Sequence, residues 1–332
     1  MTVAPVLRPE NHFDTIACRG AESAAATSNG EAPTGGLAAT IAALCGGRAC
    51  RIVSVEAARR LVDGCADIFV ARPVELGADG RLRATALRQL AQTIRSGEDA
   101  GAPQLLVADD SLASPWLCRP LQMGFDVAIE DLRPWFGVDA CALVARSEEA
   151  LACALTLAGD GVPAIGGDGV LAAERLLTTS LTVQRRCDTA QVVAHFLVMH
   201  PSVAWVSYPG LPDDPANDAA RRVLEHGFGA CLTFGLASAA GVAVSDVLSR
   251  AAVVGLRVDA PTASAASALT CGGALTAGYA ARTTLAVLPA SVSATDGDDG
   301  AALGGPVLLL CAGLETPLDV VAALESALAP AK

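Results

Sequence analysis

Covalent amine chemistry has almost no raw material in this chain. Among its 23 Lys and Arg residues the one lysine is Lys332, at the C-terminal tip. A mechanism that needs a buried amine, such as a Schiff base, therefore has no residue to use. The 11 cysteines run from Cys18 to Cys311 without a C-x-x-C pair, and only Cys45 and Cys50 lie close together. The four histidines, His12, His195, His200 and His226, lack metal-ligand spacing. The thiols read as reduced core residues of a cytoplasmic protein. The adjacent acids Glu130-Asp131 suggest a general acid–base dyad, but no His or nucleophile is spaced to serve it. Ile165-Gly-Gly-Asp-Gly169 lacks the phosphate-loop patterns and reads as a turn before a helix. Asp296-Gly-Asp-Asp-Gly300 lacks the rest of a calcium loop and reads as a solvated turn.

The elements that must position any site follow from the composition and the apolar pattern. A chain of 332 residues, 52% hydrophobic, is long enough for a substantial core in one large or two medium domains. Only 4% is aromatic, so that core must be built from Ala and aliphatic side chains. A net charge of −12 argues against nucleic acid or an anionic membrane as partner, since both need a basic face. No apolar run reaches the ~20 residues of a membrane helix, and the N-terminus shows no basic-then-apolar leader pattern.

Residues 20–36 are rich in Gly, Ala, Ser and Thr and read as loop. Strand-like runs at 51–55, 66–70, 105–108, 126–129 and 142–145 are interleaved with helical periodicity at 55–63 and 84–95. That rhythm predicts a parallel sheet covered on both faces. A long helix over 170–200 leads into a second unit. Its strands are expected at 203–208, 230–234, 284–288 and 307–311, with helices at 214–225 and 317–328. Thr316 stands at the N-cap of the last helix and Pro317 at its first position. The expected division is a loop-rich segment 1–35, a large α/β domain 36–185 and a C-terminal α/β domain 186–332.

Several segments, in order, carry a resemblance. His200-Pro-Ser-Val-Ala-Trp-Val-Ser-Tyr-Pro-Gly-Leu211 is similar to H-P-x-V-x-W-V-x-Y-P-G-L, and Gly229-Ala-Cys-Leu-Thr-Phe-Gly235 to G-A-x-L-T-F-G. Pro289-Ala-Ser291 resembles H-P-A-S, Gly313-Leu-Glu315 the end of S-V-G-I-E, and Ser114-Pro-Trp-Leu-Cys-Arg-Pro120 A-T-P-Y-L-C-R-P. Phe13-Asp-Thr-Ile-Ala17 resembles F-D-T-L-A. These patterns belong to the Cys/Met-metabolism family of pyridoxal-phosphate (PLP) enzymes, which includes O-acetylhomoserine sulfhydrylases and cystathionine gamma-synthases and lyases. The resemblance implies the aspartate-aminotransferase-like fold, type I: here a truncated large α/β domain followed by a small C-terminal α/β domain.

The same resemblance tests the chemistry position by position. The family's V-D-N-T-F-A-T-P falls on Ala108-Asp-Asp-Ser-Leu-Ala-Ser-Pro115, so Asp109 stands where an acid faces the pyridine nitrogen of PLP. Its plain structural role is to cap a turn at a strand end, and Asp109 is read as a vestigial cofactor residue. The family's D-I-V-V-H-S-A-T-K-Y falls on Asp126-Val-Ala-Ile-Glu-Asp-Leu-Arg-Pro-Trp135, which puts Pro134 in the slot of the Schiff-base lysine. Asp131 and Arg133 replace the Ser and Thr that contact the phosphate. Asp131 repels a phosphate, and Arg133 attracts one only if it turns inward. Leu309 stands where R-L-S-V-G-I-E has its carboxylate-binding arginine, and reads as core. Gly35-Gly36 resembles the later Y-G-G-T segment, which implies that the phosphate loop and the stacking aromatic are deleted. Arg185-Arg186 matches the interdomain helix and reads as surface or interface. Cys118 and Cys141 flank the old site and read as inert. The expected function is that of a non-catalytic homologue without bound cofactor, acting as a homo-oligomer or with a full-length paralogue. The alternative is a PLP-dependent sulfhydrylation or transsulfuration enzyme, or a subunit of one.

Overall fold

A computed structural model describes residues 34–63, 68–97, 105–136, 138–159, 169–259, 282–288 and 306–330. The readings on Phe13–Ala17, residues 165–168, Pro289–Ser291, Asp296–Gly300 and Lys332 lie outside these residues.

In chain order, the first unit holds helix α1 (Thr34–Cys45), β1 (Ala49–Val53), α2 (Val55–Val62), β2 (Ile68–Ala71), β3 (Val74–Leu76), β4 (Leu82–Ala84), α3 (Leu87–Ser96), β5 (Leu105–Asp109), α4 (Ser114–Leu117), β6 (Val127–Asp131), α5 (Leu132–Phe136), β7 (Cys141–Ala145) and α6 (Glu148–Ala158). A long helix, α7 (Gly169–Met199), crosses to the second unit. There follow β8 (Val203–Ser207), α8 (Asn217–Val223), β9 (Cys231–Leu236), α9 (Val244–Val253), β10 (Arg257–Asp259), β11 (Thr284–Val287), β12 (Val307–Cys311) and α10 (Pro317–Leu328).

The first sheet has the order β1-β7-β6-β5-β2. Strands β6, β5 and β2 are parallel, and β7 runs against both of its neighbours. Four strands therefore share one direction and β7 alone opposes them, so the expected parallel sheet is mainly rather than wholly parallel. The second sheet has the order β10-β11-β12-β9-β8 and is mostly antiparallel.

Strand alternation sorts the side chains into three cores. On β6, Val127 and Ile129 pack with α2 and α6, whereas Ala128 faces the core shared with α1. On β12, Leu308 and Leu310 face the second unit's helices, whereas Val307, Leu309 and Cys311 face the shared core. Fully burying one such leucine contributes ~1.5–3 kcal/mol. Leu309, with no exposed surface, is core as expected.

Short polar side chains fix the helix starts. Ser54 Oγ accepts from Ala57 N at 3.2 Å, Ser147 Oγ from Ala150 N at 3.2 Å, and Thr316 Oγ1 from Asp319 N at 3.2 Å. The Thr316-Pro317 reading thus holds.

Helix α1 corrects the reading of Gly35-Gly36. These glycines lie in the first turn of a twelve-residue helix, not in a segment after one. A tight turn, with Gly47 N bonded to Ala42 O at 2.8 Å, returns the chain into β1, so α1 runs opposite to β1. Its N-terminus therefore opens at the carboxyl edge of the parallel strands, the edge where β5 delivers Asp109. A glycine-led helix N-terminus on that edge is the arrangement of a phosphate cradle. A helix N-terminus thus stands on the edge where the resemblance implied a deletion.

Candidate functional site

Asp109 ends β5, its side chain 1% exposed. Strand β2 pairs in parallel with β5, Ala71 opposite Ala108, so the next residue, Arg72, arrives beside Asp109. Its Nε donates to Asp109 Oδ2 at 3.1 Å. On the other side, Ser111 Oγ donates to Asp109 Oδ1 at 2.6 Å and Ser111 N to the same oxygen at 3.3 Å. Both carboxylate oxygens are therefore engaged by the chain itself, and the turn-capping role expected for Asp109 is present.

The lysine slot follows just after the neighbouring strand, β6. Pro134 is buried in the short helix α5, and its carbonyl accepts from Arg186 Nη1 at 3.3 Å. Proline offers neither a side-chain amine nor an N–H. Next to it, Arg133 closes on Asp131: Nη2 to Oδ2 at 2.6 Å, Nε to Oδ1 at 3.0 Å, and the backbone N to Oδ1 at 3.0 Å. Its guanidinium forks onto that carboxylate. Arg186 corrects another expectation. It is 5% exposed, and its guanidinium carbon lies 5.5 Å from the centre of the Trp135 ring. Arg185, one residue earlier, is half-buried.

The polar groups expected near PLP are thus engaged within the chain, Asp109 by Arg72 and Ser111 and Asp131 by Arg133. Pro134 cannot bond an aldehyde carbon, Asp109 already has a cation and a hydroxyl on its oxygens, and Leu309 cannot bind a carboxylate. These residues do not fit the cofactor as family members hold it, even with α1 in place.

What the sequence reading missed is a second acid pair. Asp110 has no exposed surface and Glu130 is 1% exposed. They sit on adjacent strand ends, where Asp110 N bonds Ile129 O at 3.0 Å. Cys45 Sγ, from α1, approaches Glu130 Oε1 at 3.6 Å. Taken as bare carboxylates, Asp110 Oδ1 and Oδ2 and Glu130 Oε2 are buried without a hydrogen-bond partner among the described residues. Two ionised carboxylates have no proton between them, so the bond available here is one carboxyl donating to the other. Burial pushes the Glu130 carboxyl well above the usual carboxylate range, and the charges of Asp109 and Asp131 push the same way, against hydrogen bonds from Asp110 and Cys45. Burial, then the charge of Glu130, raises Asp110 likewise. The thiols of Cys45 and Cys118, buried against these acids, are raised too, which makes them poor nucleophiles. The surroundings therefore favour the protonated forms of these carboxyls and thiols. Cys141 is buried.

Among the described residues no three His, Cys, Asp or Glu side chains are grouped to hold a metal ion, and no helix is long and apolar enough to cross a membrane.

The retained motif residues, by contrast, do structural work. Trp205 is paired with Gly235 across β8 and β9. Glu315 accepts from Thr283 N at 2.7 Å and Thr283 Oγ1 at 2.9 Å, and a Cβ on Gly313 would lie 2.4 Å from Thr283 N. Tyr208 is fully buried, and its hydroxyl donates to Gly229 O at 3.0 Å.

Comparison with known proteins agrees with this frame. An L-methionine gamma-lyase of Pseudomonas deceptionensis is 33% identical over 127 residues, 36% of this chain and 32% of that enzyme. A cystathionine gamma-synthase of Mycobacterium tuberculosis is 38% identical over 139 residues, 40% of this chain and 35% of that enzyme. The chain thus spans about a third of the length of the curated relatives it matches. The solved cystathionine gamma-lyase from yeast superposes with a TM-score of 0.71 at 16% identity, over 97% of this chain and 99% of that one. A methionine gamma lyase from Micromonospora echinospora gives 0.69 at 21% identity, over 95% and 98%. The sequence pattern of the Cys/Met metabolism PLP-dependent enzymes matches residues 81–329, most of the chain. With motif order, two-sheet architecture and profile in agreement, the chain belongs to the Cys/Met metabolism family of PLP-dependent enzymes.

Proposed function

We propose that this chain is a non-catalytic member of its family, a folded scaffold that acts through association with a second copy or with a full-length paralogue. The observation that carries the reading is the pairing of Arg72 with Asp109 beside a Pro134 that fills the lysine slot. One substitution can be compensated. A missing amine, a carboxylate with both oxygens engaged and a leucine in the arginine slot together leave no route to the reaction of the family.

The second reading is a PLP-dependent enzyme of sulfur amino-acid metabolism, or a subunit completed by a partner. The α1 helix favours it, because its N-terminus remains at the sheet edge where a phosphate would sit. The two readings part on one experiment. The purified chain is incubated with PLP, scanned for aldimine absorbance, reduced with borohydride and mapped by mass spectrometry. The scaffold reading expects no absorbance and no adduct on an internal residue. A trapped internal adduct, or turnover of a sulfur amino acid on adding the paralogue's catalytically dead form, overturns it.

A further inference from the structure

The shared core contains a pair of thiols that the site does not use. Cys231 opens β9 and Cys311 closes β12, and the two are direct partners in the antiparallel register. Ala312 N donates to Ala230 O at 2.8 Å, so residues 230 and 312 form the hydrogen-bonded pair. Narrow and wide pairs alternate along such a ladder, which makes Cys231 and Cys311 a non-hydrogen-bonded pair with Cα atoms about 4.5 Å apart. A disulfide spans Cα separations of about 4.4–6.8 Å. The sulfurs themselves stand 3.2 Å apart. Closing them to a bond requires an approach of about 1 Å, within what two χ1 rotations supply.

We propose that Cys231 and Cys311 are an oxidisable pair that closes to a cross-strand disulfide within the folded protein. The two thiols are 7% and 4% exposed, so the oxidant must be small, and hydrogen peroxide meets that condition. One thiol sulfur attacks a peroxide oxygen, the O–O bond breaks, and a sulfenic acid and a water form. The second thiol then attacks the sulfenic sulfur: the S–S bond forms, the S–O bond breaks, and a second water leaves with both remaining protons. Two thiols are oxidised, one peroxide is reduced, and the atoms balance.

Among the described residues, Cys187 on α7 also lies within electrostatic reach of Cys231 and is a competing thiol. Burial holds that thiol at about 12, so it remains protonated and slow to attack. Neither position is demanded by the family motifs, since Cys231 occupies the variable position of G-A-x-L-T-F-G and Cys311 stands where R-L-S-V-G-I-E has serine. Closure would tie the central strand β12 of the second sheet to its neighbour β9 on the face turned toward the first unit.

The full chain is treated with graded peroxide under native conditions, quenched, alkylated after unfolding and digested with trypsin. Cleavage at Arg222, Arg250 and Arg282 isolates Cys231 in residues 223–250 and Cys311 in residues 283–332, one cysteine each. The expected product is a cross-link of these two peptides that disappears with dithiothreitol, is absent from Cys311→Ala and persists in Cys187→Ser. Near-ultraviolet circular dichroism establishes that each variant is folded. The proposal is overturned if both thiols are still alkylated at a dose that has consumed the half-buried Cys153. A cross-link to Cys187 instead, or one that forms only after prior unfolding in urea, overturns it equally.

Discussion

The indole of Trp205 occupies the space that a side chain on Gly235 would need, since a Cβ built there falls 2.2 Å from its ring nitrogen. Gly235→Ala should therefore destabilise the second unit by ~1–3 kcal/mol through overpacking. Urea unfolding checks this. Trp205→Leu should relieve the clash, so the double mutant is expected to be more stable than the sum of the two single effects predicts.

The Glu130–Asp110 pair sets a pH dependence. Both carboxyls are raised in the folded state, so the fold holds a proton that the unfolded chain releases above about pH 4–4.5. The stability they contribute is complete below that pH and is lost as pH rises toward the folded values. Glu130→Gln replaces the ionising group with a donor to Asp110. It is expected to raise thermal stability at pH 8, by ~1–3 kcal/mol, and to change it little near pH 4. Calorimetry at the two pH values reads the difference, and an equal effect at both would remove the proton-sharing account.

Pro134→Lys restores an amine to the slot without restoring its surroundings. Asp109 remains paired with Arg72, and Leu309 remains in the arginine position. The variant is expected to form no homocysteine from O-acetylhomoserine and sulfide. Measurable product from that single change would mean that the remaining substitutions are tolerated.

Association is the third consequence of the scaffold reading. Large apolar side chains stand exposed on three helices: Leu181 and Met199 on α7, Val253 on α9 and Leu318 on α10, at 71%, 82%, 86% and 76%. Exposed apolar surface of this kind favours a partner. Light scattering on the purified chain, alone and co-expressed with a full-length paralogue, is expected to give a dimer or a hetero-complex. A monodisperse monomer indifferent to the paralogue would count against the partner role.

The frame was legible in the sequence where pattern and packing coincide. Runs such as 105–108, 230–234 and 307–311 are strands because their apolar side chains are buried on both faces, and they fall within two residues of the observed ends. The hairpin β3–β4 was missed because its strands are three residues each, too short for alternation to show. Its turn had left a signal in Gly77-Ala-Asp-Gly80, where Asp79 Oδ1 accepts from Arg81 N and Gly80 takes a left-handed φ of 75°. Helix α9 and strand β10 were missed as well.

The site was less legible because its contacts run across strands. Glu130 looked like a dyad with Asp131, but neighbours along a strand point to opposite faces. Its partner is Asp110, twenty positions away on the next strand, as Arg72 is for Asp109 on the strand before. Only strand order reveals such pairs. The retained motifs proved to be those that pack, namely Trp205 with Gly235, Tyr208 with Gly229, and Glu315 with Thr283, whereas the positions that would do chemistry carry other residues.

Helix α7 has a further consequence. It is 31 residues long, roughly 46 Å at 1.5 Å per residue. Near its middle, Arg186 bonds the Pro134 carbonyl of the first unit, while the carbonyl of the next residue, Cys187, receives the Tyr208 hydroxyl of the second at 3.5 Å. Consecutive residues of one rigid rod thus fasten both halves, and neither half can open without disturbing it. Amide protons around residues 183–194 should accordingly exchange only with global unfolding, so that the molecule melts as a single cooperative unit rather than half by half.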